Sequence, residues 1–120
     1  MTNPRYKPRD YCLEPELFGK RFELTWCEVE ERENARLAAA QLQNEYAVFI
    51  RHQVRTQKKT LEVYAKAAGV SYDRLMKMLR GDVIMRLEDI GMAHYLLHLD
   101  IGLHRPGTQM PAGPKPKTTK

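Results

Sequence analysis

Residues 61–80 read LEVYAKAAGVSYDRLMKMLR, and this stretch decides the fold. Its apolar and small residues recur three or four positions apart on either side of Gly69, which predicts two short helices, over 61–68 and 72–80. Gly69 follows the last apolar residue of the first helix, where glycine adopts the left-handed conformation that ends a helix without a Cβ penalty. The side chains predicted to face the core are Tyr64, Ala65, Ala68, Val70, Leu75, Met78 and Leu79.

Two hydroxyl residues precede these helices. Thr60 comes directly before the first helix and Ser71 directly before the second, so each can accept a free backbone N–H as an N-cap. Ala65 is small at the point where the two helices are expected to cross, and its size allows their axes to lie close together. Two short capped helices that meet at one glycine predict a helix-turn-helix and hence DNA binding, with a bare helical hairpin as the alternative.

From about residue 47 to residue 99 the chain resembles the Cro/repressor-like (Xre-type) helix-turn-helix family. The matching stretches are IRHQVRTQKKT, YAKAAGVSYDRLMKMLRGD and LEDIGMAHYLL. The resemblance implies a mainly α fold, a lambda-repressor-like bundle of four or five helices that binds a two-fold operator as a dimer. It also implies a transcriptional regulator of a bacterium, phage or mobile element. Repression, including repression of its own promoter, is the expected role, with activation as the alternative.

The chain departs from the family pattern at two positions. Many members carry Gln where this chain has Leu61 and Glu where it has Leu79. In such members the Glu pairs with an arginine that aligns with Arg55. Because that carboxylate is replaced by a leucine, the resemblance implies that Arg55 is free to meet a phosphate.

Basic charge concentrates on the motif. Residues 50–80 carry eight lysines and arginines against two acidic residues, a net charge of +6, whereas the whole chain carries +5. Residues 28–49 have a net charge of −3. A basic patch releases counterions when it meets phosphates, so it supplies affinity for double-stranded DNA that depends strongly on salt.

Three residues of the second helix are predicted to read bases: Tyr72, Asp73 and Lys77. A recognition helix enters the major groove by its N-terminal part. There Lys77 can donate to guanine, Asp73 can accept from cytosine, and Tyr72 can pack on a thymine methyl group or bond a phosphate. The alternative for Asp73 is that it only stabilises the positive helix N-terminus. Predicted contacts to the DNA backbone, for each of which simple solvation is the alternative, are Arg51, Arg55, Lys58, Lys59, Thr60, Ser71, Arg74 and Arg80.

The first 46 residues divide into two parts by composition. Residues 1–17 contain three prolines among basic residues and predict an irregular basic arm rather than a packed element. Residues 18–46 are predicted to be an extension that mediates dimerisation or binds another protein. Within it, Phe22, Leu24 and Trp26 alternate with polar residues, which predicts a short strand, with an extended segment lying on the helices as the alternative.

A long helix, or two collinear helices, is predicted from about residue 28 to residue 58, where neither glycine nor proline occurs. Its predicted apolar stripe comprises Ala35, Ala39, Leu42, Tyr46, Phe49, Ile50 and Val54. The later part of this helix opens the predicted DNA-binding domain, residues 47–101.

Another helix is predicted over residues 87–99, to close the bundle. Its predicted inward side chains are Leu87, Ile90, Ala93, Leu96 and Leu97. His94 and His98 have the spacing of paired metal ligands, but no third ligand is fixed nearby, so we predict no metal. Residues 102–120 are rich in Gly, Pro, Thr and Lys and predict a disordered basic tail, for which weak attraction to nucleic acid and plain solubility are alternative roles.

The remaining features narrow the function classes. No apolar run reaches the roughly 18 residues of a membrane span, and no signal-peptide pattern opens the chain, so we expect a cytoplasmic, nucleoid-associated protein. Cys12 and Cys27 suggest neither a disulfide framework nor a zinc site. Without a phosphate loop or nucleophile motif, we expect no enzyme and no cofactor. The alternatives to a sequence-specific regulator are an antitoxin or adaptor that binds a protein partner, and a nonspecific architectural DNA-binding protein.

Overall fold

The computed structural model describes residues 6–98, and this part of the chain is a mainly helical bundle. Its four α-helices are α1, Asn34–Thr56; α2, Leu61–Ala68; α3, Tyr72–Arg80; and α4, Leu87–Leu97. Three short 3-10 helices precede them, at Pro8–Tyr11, Pro15–Leu17 and Glu31–Glu33. The predicted tail, residues 102–120, lies outside the described residues, as do residues 1–5 of the predicted arm.

The predicted helices over 61–68 and 72–80 are confirmed, together with both caps. Thr60 Oγ1 accepts the backbone N–H of Val63 at 3.1 Å. Ser71 Oγ accepts the N–H of Arg74 at 3.0 Å. These bonds satisfy donors that the first turn of a helix leaves unpaired, so the start of each helix is fixed by its own sequence.

Two glycines end α2 and α3 in the left-handed region. Gly69 has φ +78° and Gly81 has φ +80°. A Cβ at Gly69 would meet no atom within 4 Å, so only its backbone conformation requires glycine. A Cβ at Gly81 would lie 2.8 Å from Phe18 Cδ1 and 2.9 Å from Arg9 Cβ, so this position requires glycine for space as well.

One core joins the four helices. The predicted inward residues of α2 and α3 are all buried or partly buried. On α4 the prediction is confirmed for Ala93 and Leu97, and Ile90 and Leu96 pack partly against the core, but Leu87 is 84% exposed. Leu87 opens α4, where it has no preceding helical turn to pack beside. The buried core cluster comprises Tyr46, Ala47, Ile50, Val54, Tyr64, Ala65, Leu75, Met78, Leu79, Met85, Ala93 and Leu97.

The N-terminal segment packs against the helices, which differs from the predicted irregular arm. Pro8, Cys12 and Phe18 are buried, and the backbone N–H of Arg9 donates to the carbonyl of Gly81 at 3.1 Å. Prolines that break regular structure do not prevent packing, because Pro8 opens a 3-10 helix and buries its own ring.

No strand forms within residues 6–98, so the strand predicted in 18–29 is not found. An isolated antiparallel bridge joins Cys12 to Trp26, flanked by hydrogen bonds from Leu13 N–H to the Thr25 carbonyl and from Cys27 N–H to the Tyr11 carbonyl, both 2.8 Å. The segment is extended and lies on the helices, which was the alternative interpretation. The alternation of apolar and polar side chains did not produce a β-strand here, because backbone pairing does not extend beyond the bridge between Cys12 and Trp26.

The long helix is shorter than predicted and its first half is turned differently. It begins at Asn34 rather than near residue 28. The predicted stripe is buried or partly buried from Tyr46 onward, whereas its earlier members, Ala35, Ala39 and Leu42, are exposed. The buried face of that half comprises Ala40, Gln43, Asn44 and Ala47. The N-terminal segment packs against this face and supplies backbone partners for Asn44, whereas the partners of Gln43 lie at the end of α3 and in the loop after it.

Gln43 and Asn44 stabilise this packing through hydrogen bonds. Gln43 Nε2 donates to the carbonyls of Met78 and Val83, both at 2.9 Å, and Gln43 Oε1 accepts the N–H of Met85 at 2.8 Å. Asn44 bonds the N-terminal segment through Gly19 N–H at 2.6 Å. These buried amides stabilise the fold because the Val83 carbonyl, the Met85 N–H and the Gly19 N–H would otherwise be unpaired.

We therefore expect Gln43→Met to lower the free energy of unfolding by about 2–4 kcal/mol, since it leaves the Val83 carbonyl and the Met85 N–H without a partner. The measurement is urea denaturation followed by circular dichroism. Gln41→Met, on the same helix but partly exposed, is the control and should change stability by less than about 0.5 kcal/mol. Equal effects of the two substitutions would show that the hydrogen bonds of Gln43 contribute nothing specific.

Candidate nucleic-acid interface

The exposed face of α3 carries the three predicted base-reading residues. Leu75, Met78 and Leu79 are buried on the opposite side of this helix. Tyr72, Asp73 and Lys77 are all exposed, and Tyr72 is 46% accessible although it is a large aromatic residue. The burial of one face thus fixes which residues α3 presents to solvent, and a polar, partly aromatic surface remains.

Asp73 and Lys77 form an ion pair along α3. Asp73 Oδ2 lies 3.0 Å from Lys77 Nζ, one helical turn away. Both side chains are largely accessible, and exposed pairs at this spacing contribute only about 0.3–0.5 kcal/mol. The pair therefore opens at little cost when either group finds another hydrogen-bonding partner.

Arg51 on α1 lies within electrostatic reach of Arg55, one turn along the same helix, and of Arg80 at the end of α3, and we call these three residues the arginine cluster. Burial and the nearby Arg80 lower the pKa of Arg51; Arg55 acts in the same direction and Tyr72 opposes it. Arg51 is half-buried, and its Nε atom is buried without a hydrogen-bond partner among the described residues. The cluster therefore places positive charge along the α1 side of α3.

The turn between α1 and α2 adds further basic residues. Lys58 has a left-handed φ of +60°, and the N–H of Lys59 donates to the Val54 carbonyl at 2.9 Å. Both lysines and the adjacent Thr60 are exposed. The Thr60 and Ser71 hydroxyl oxygens accept their cap bonds, so each hydroxyl proton is still able to donate to an external acceptor.

Arg74, predicted to contact a DNA backbone, is committed to another partner. Its Nη1 and Nη2 atoms donate to Asp89 Oδ1 and Oδ2 at 3.0 and 3.1 Å. The two side chains are only 26% and 11% exposed. Asp89 Oδ2 also accepts the N–H of Arg86 at 2.8 Å, at the start of α4. The guanidinium group of Arg74 therefore joins α3 to α4. In the sequence, Arg74 is one of several charged residues on its helix, and no local pattern indicates Asp89 as its partner.

Sequence reasoning missed the contribution of the N-terminal segment to this surface. A cleft of about 410 Å³ lies beside α3, lined by Tyr6 together with Asp73, Lys77 and Arg86. Arg9 Nε pairs with Asp82 Oδ1 at 3.0 Å, just beyond the end of α3. No local sequence pattern identifies Tyr6 as a neighbour of α3, although the predicted arm is basic, as are residues 50–80.

A second cleft, of about 690 Å³, separates the turn at Gly69 from α4. Tyr64 lines it, and burial, aided by Asp89, raises the pKa of this tyrosine to about 12. Tyr64 is therefore neutral at physiological pH. His94 Nε2 lies 2.9 Å from the Tyr46 hydroxyl. Among residues 6–98, no three His, Cys, Asp or Glu side chains gather in an arrangement that could hold a metal ion.

Comparison of the chain with protein-family models, with curated proteins and with solved structures found no match. The helices of the described region include none with the length and apolar character needed to cross a membrane. The function of the α3 surface is therefore inferred from the contacts and charges of the chain itself.

Because Arg74 stabilises the α3–α4 junction, we expect Arg74→Met to lower the free energy of unfolding by about 1–3 kcal/mol. Thermal and urea unfolding measure the effect. The control is Arg32→Met, which removes an ion pair of equal length, 3.0 Å, to Glu30 in a fully accessible setting. Exposed pairs contribute little, so the control should change stability by less than about 0.5 kcal/mol. If Arg74→Met is as stable as the wild type, the Arg74–Asp89 pair does not stabilise the α3–α4 junction.

Proposed function

We propose that this chain binds double-stranded DNA sequence-specifically through α3 and acts as a transcriptional regulator. One observation carries the proposal: α2 and α3 are capped by Thr60 and Ser71, joined through a left-handed Gly69, and present Tyr72, Asp73 and Lys77 on the solvent side. This is the arrangement expected of a helix-turn-helix within a lambda-repressor-like bundle, with α3 as the recognition helix.

Electrostatics support DNA as the ligand. Residues 50–80, which include α2 and α3, carry a net charge of +6, with Arg80 in the last turn of α3 and two lysines in the turn before α2. Phosphate contacts from such residues position a protein on the duplex, and base contacts then confer specificity. In this arrangement Lys77 reads guanine, Asp73 accepts from cytosine N4, and Tyr72 packs on a thymine methyl group.

A two-fold operator requires a second subunit, and α1 offers a surface for it. Leu42 on α1 is 44% exposed, and Phe49 lies two turns further along the same face of this helix. The ring of Phe22, which is 48% exposed, lies 4.8 Å from the ring of Phe49. We propose that this apolar surface pairs two copies of the chain in the cytoplasm. A different protein bound there would instead support the antitoxin or adaptor alternative.

The experiment that tests the proposal is selection of binding sites from random duplex DNA by the purified full-length chain at physiological salt. A palindrome with half-sites about one helical turn apart would support a dimeric regulator, and its occurrence in the chain's own promoter would support autorepression. Recovery of no motif, with affinity that falls steeply as salt rises, would favour the nonspecific architectural alternative. No binding at all would contradict the proposal.

Two lysines separate base reading from backbone contact. We expect Lys77→Ala to cost roughly 1–3 kcal/mol on the selected site and to relax one base position. Lys59→Ala should weaken all sequences alike and reduce the salt slope. Fluorescence anisotropy on the selected and scrambled duplexes measures both effects. Direct readout by α3 is refuted if Lys77→Ala loses the same affinity on every sequence.

Dimerisation through α1 predicts that Leu42→Glu yields a folded monomer, because burying a new carboxylate at an apolar interface is strongly unfavourable. Sedimentation equilibrium measures the mass. The matched control is Leu87→Glu, an exposed leucine on α4, which should leave the dimer intact. A dimeric Leu42→Glu variant beside a monomeric Leu87→Glu variant would move the interface from α1 to α4.

A further inference from the structure

The cleft of about 690 Å³ between the turn at Gly69 and α4, which we call the α4 cleft, has the size and lining of a small-molecule site. Pockets that bind small molecules enclose roughly 300–1,000 Å³ and are mostly apolar, with a few polar groups that orient the ligand. The apolar lining of the α4 cleft includes Leu75 and three methionines, Met78, Met85 and Met92. Methionine side chains are flexible and polarisable, so they adapt to an apolar molecule of irregular shape.

One hydroxyl group in the α4 cleft has no partner. Tyr64 is only 5% exposed and lines the cleft, and no residue within 6–98 forms a hydrogen bond with its hydroxyl. Its oxygen is not one of the fully enclosed unpartnered atoms of the described residues, so it remains in contact with the open space of the cleft. Native structures leave few polar groups of buried side chains unpaired, and an unpaired one costs free energy. The Tyr64 hydroxyl is therefore a polar group that a molecule in the cleft can reach and satisfy.

The Tyr64 hydroxyl is a donor at physiological pH. Burial raises the pKa of this side chain to about 12, so the oxygen keeps its proton. A neutral phenol can donate one hydrogen bond to an acceptor of the ligand. The group that the cleft selects is therefore a hydrogen-bond acceptor.

The charged side chains around the α4 cleft balance one another. Arg74 and Asp89 are already paired, through bonds of 3.0 and 3.1 Å. Arg86 and Glu88 are exposed at the cleft and carry opposite charges. With two arginines and two carboxylates in the lining, neither a cation nor an anion gains a net attraction. An uncharged molecule therefore fits this lining better than an ion does.

We propose that the α4 cleft binds a small uncharged molecule with a largely apolar body and a carbonyl oxygen that accepts the O–H of Tyr64. The apolar body packs against Leu75 and the three methionines, and its removal from water supplies most of the affinity. The hydrogen bond to Tyr64 fixes the orientation of the molecule in the cleft.

The α4 cleft adjoins the contacts that hold α3. Its lining includes Ser71, whose hydroxyl caps α3, and both members of the Arg74–Asp89 pair that joins α3 to α4. A molecule seated between these walls stabilises the arrangement in which α3 presents its exposed face. The ligand therefore acts as an effector that raises the affinity for DNA. This effector role rests on the proposed function, whereas binding in the cleft does not.

The test is titration of the full-length chain with prodan, an uncharged naphthalene dye whose propionyl group supplies the carbonyl and whose fluorescence responds to its surroundings. The wild type should bind prodan with enhanced, blue-shifted emission. Tyr64→Phe, which removes only the hydroxyl oxygen, should weaken the affinity by about three- to tenfold, as expected for one neutral hydrogen bond. The thermal midpoint of Tyr64→Phe without the dye should equal or exceed that of the wild type, because the hydroxyl has no partner in the free protein.

Tyr95→Phe is the matched control, because it removes the same hydroxyl from a tyrosine that is 76% exposed on α4 and does not line the cleft. It should bind prodan like the wild type. The proposal is overturned if the wild type does not bind prodan, or if Tyr64→Phe and Tyr95→Phe bind it equally.

A dye analogue with propyl in place of propionyl tests the assigned hydrogen bond. It has no carbonyl to accept the O–H, so it should bind the wild type and Tyr64→Phe equally. If the analogue also prefers the wild type, the effect of Tyr64 does not come from donation to a carbonyl, and that assignment is overturned.

A further measurement separates the cleft from its effector role. The affinity for the selected duplex, labelled with a red fluorophore, is measured by anisotropy with and without saturating prodan, which should raise it by about fivefold or more. Unchanged duplex affinity overturns the effector role. If the wild type binds no duplex but binds prodan in a Tyr64-dependent way, the cleft stands as a ligand site and the proposed function fails. If the wild type binds the duplex while both tyrosine variants bind prodan equally, DNA binding stands and the cleft proposal is overturned.

Discussion

The position of α3 depends on one buried amide. Gln43 reaches from the middle of α1 to the carbonyls of Met78 and Val83 and to the N–H of Met85, so one side chain joins the last turn of α3 to the loop that follows it. The last carbonyls of a helix have no partner within the helix, and in the interior they must find one elsewhere. The Met78 carbonyl accepts the N–H of Gly81 at 3.2 Å, and Gln43 adds a second bond that joins this end of α3 to α1.

The two ends of α3 are held by different means, and this difference matters for the proposed interface. The N-terminal end is set locally, by Ser71 and by the turn at Gly69. The C-terminal end has the local Gly81 cap and, in addition, bonds from distant residues, namely Gln43 and the backbone of Arg9, while Arg74 joins the side of the helix to Asp89 on α4. Rigid support from several elements keeps exposed side chains in one geometry, which sequence reading by a helix requires.

Helices α2 and α3 could be predicted from the sequence because their signals are local. Each helix has a hydroxyl N-cap directly before it, a short apolar pattern within it and a glycine directly after it. It failed on the first half of α1, where periodicity selected Ala39 and Leu42 while the buried face includes Gln43 and Asn44. Hydrophobic periodicity gives no weight to polar residues that are buried by hydrogen bonds. The pairing of Arg74 was missed for a related reason, since its partner Asp89 lies on the next helix and only the fold brings them together.

The contact between Arg9 and Gly81 has a consequence for the order of folding. Helices α2 and α3 are neighbours in sequence and can pair early, because their contacts close only a short loop. The bond from Arg9 to Gly81 closes most of the described chain and contributes only after α1 and α3 have come together. The segment around Arg9 therefore reaches its final neighbours only when nearly the whole bundle has formed, and the C-terminal end of α3 gains this support after α2 and α3 have paired.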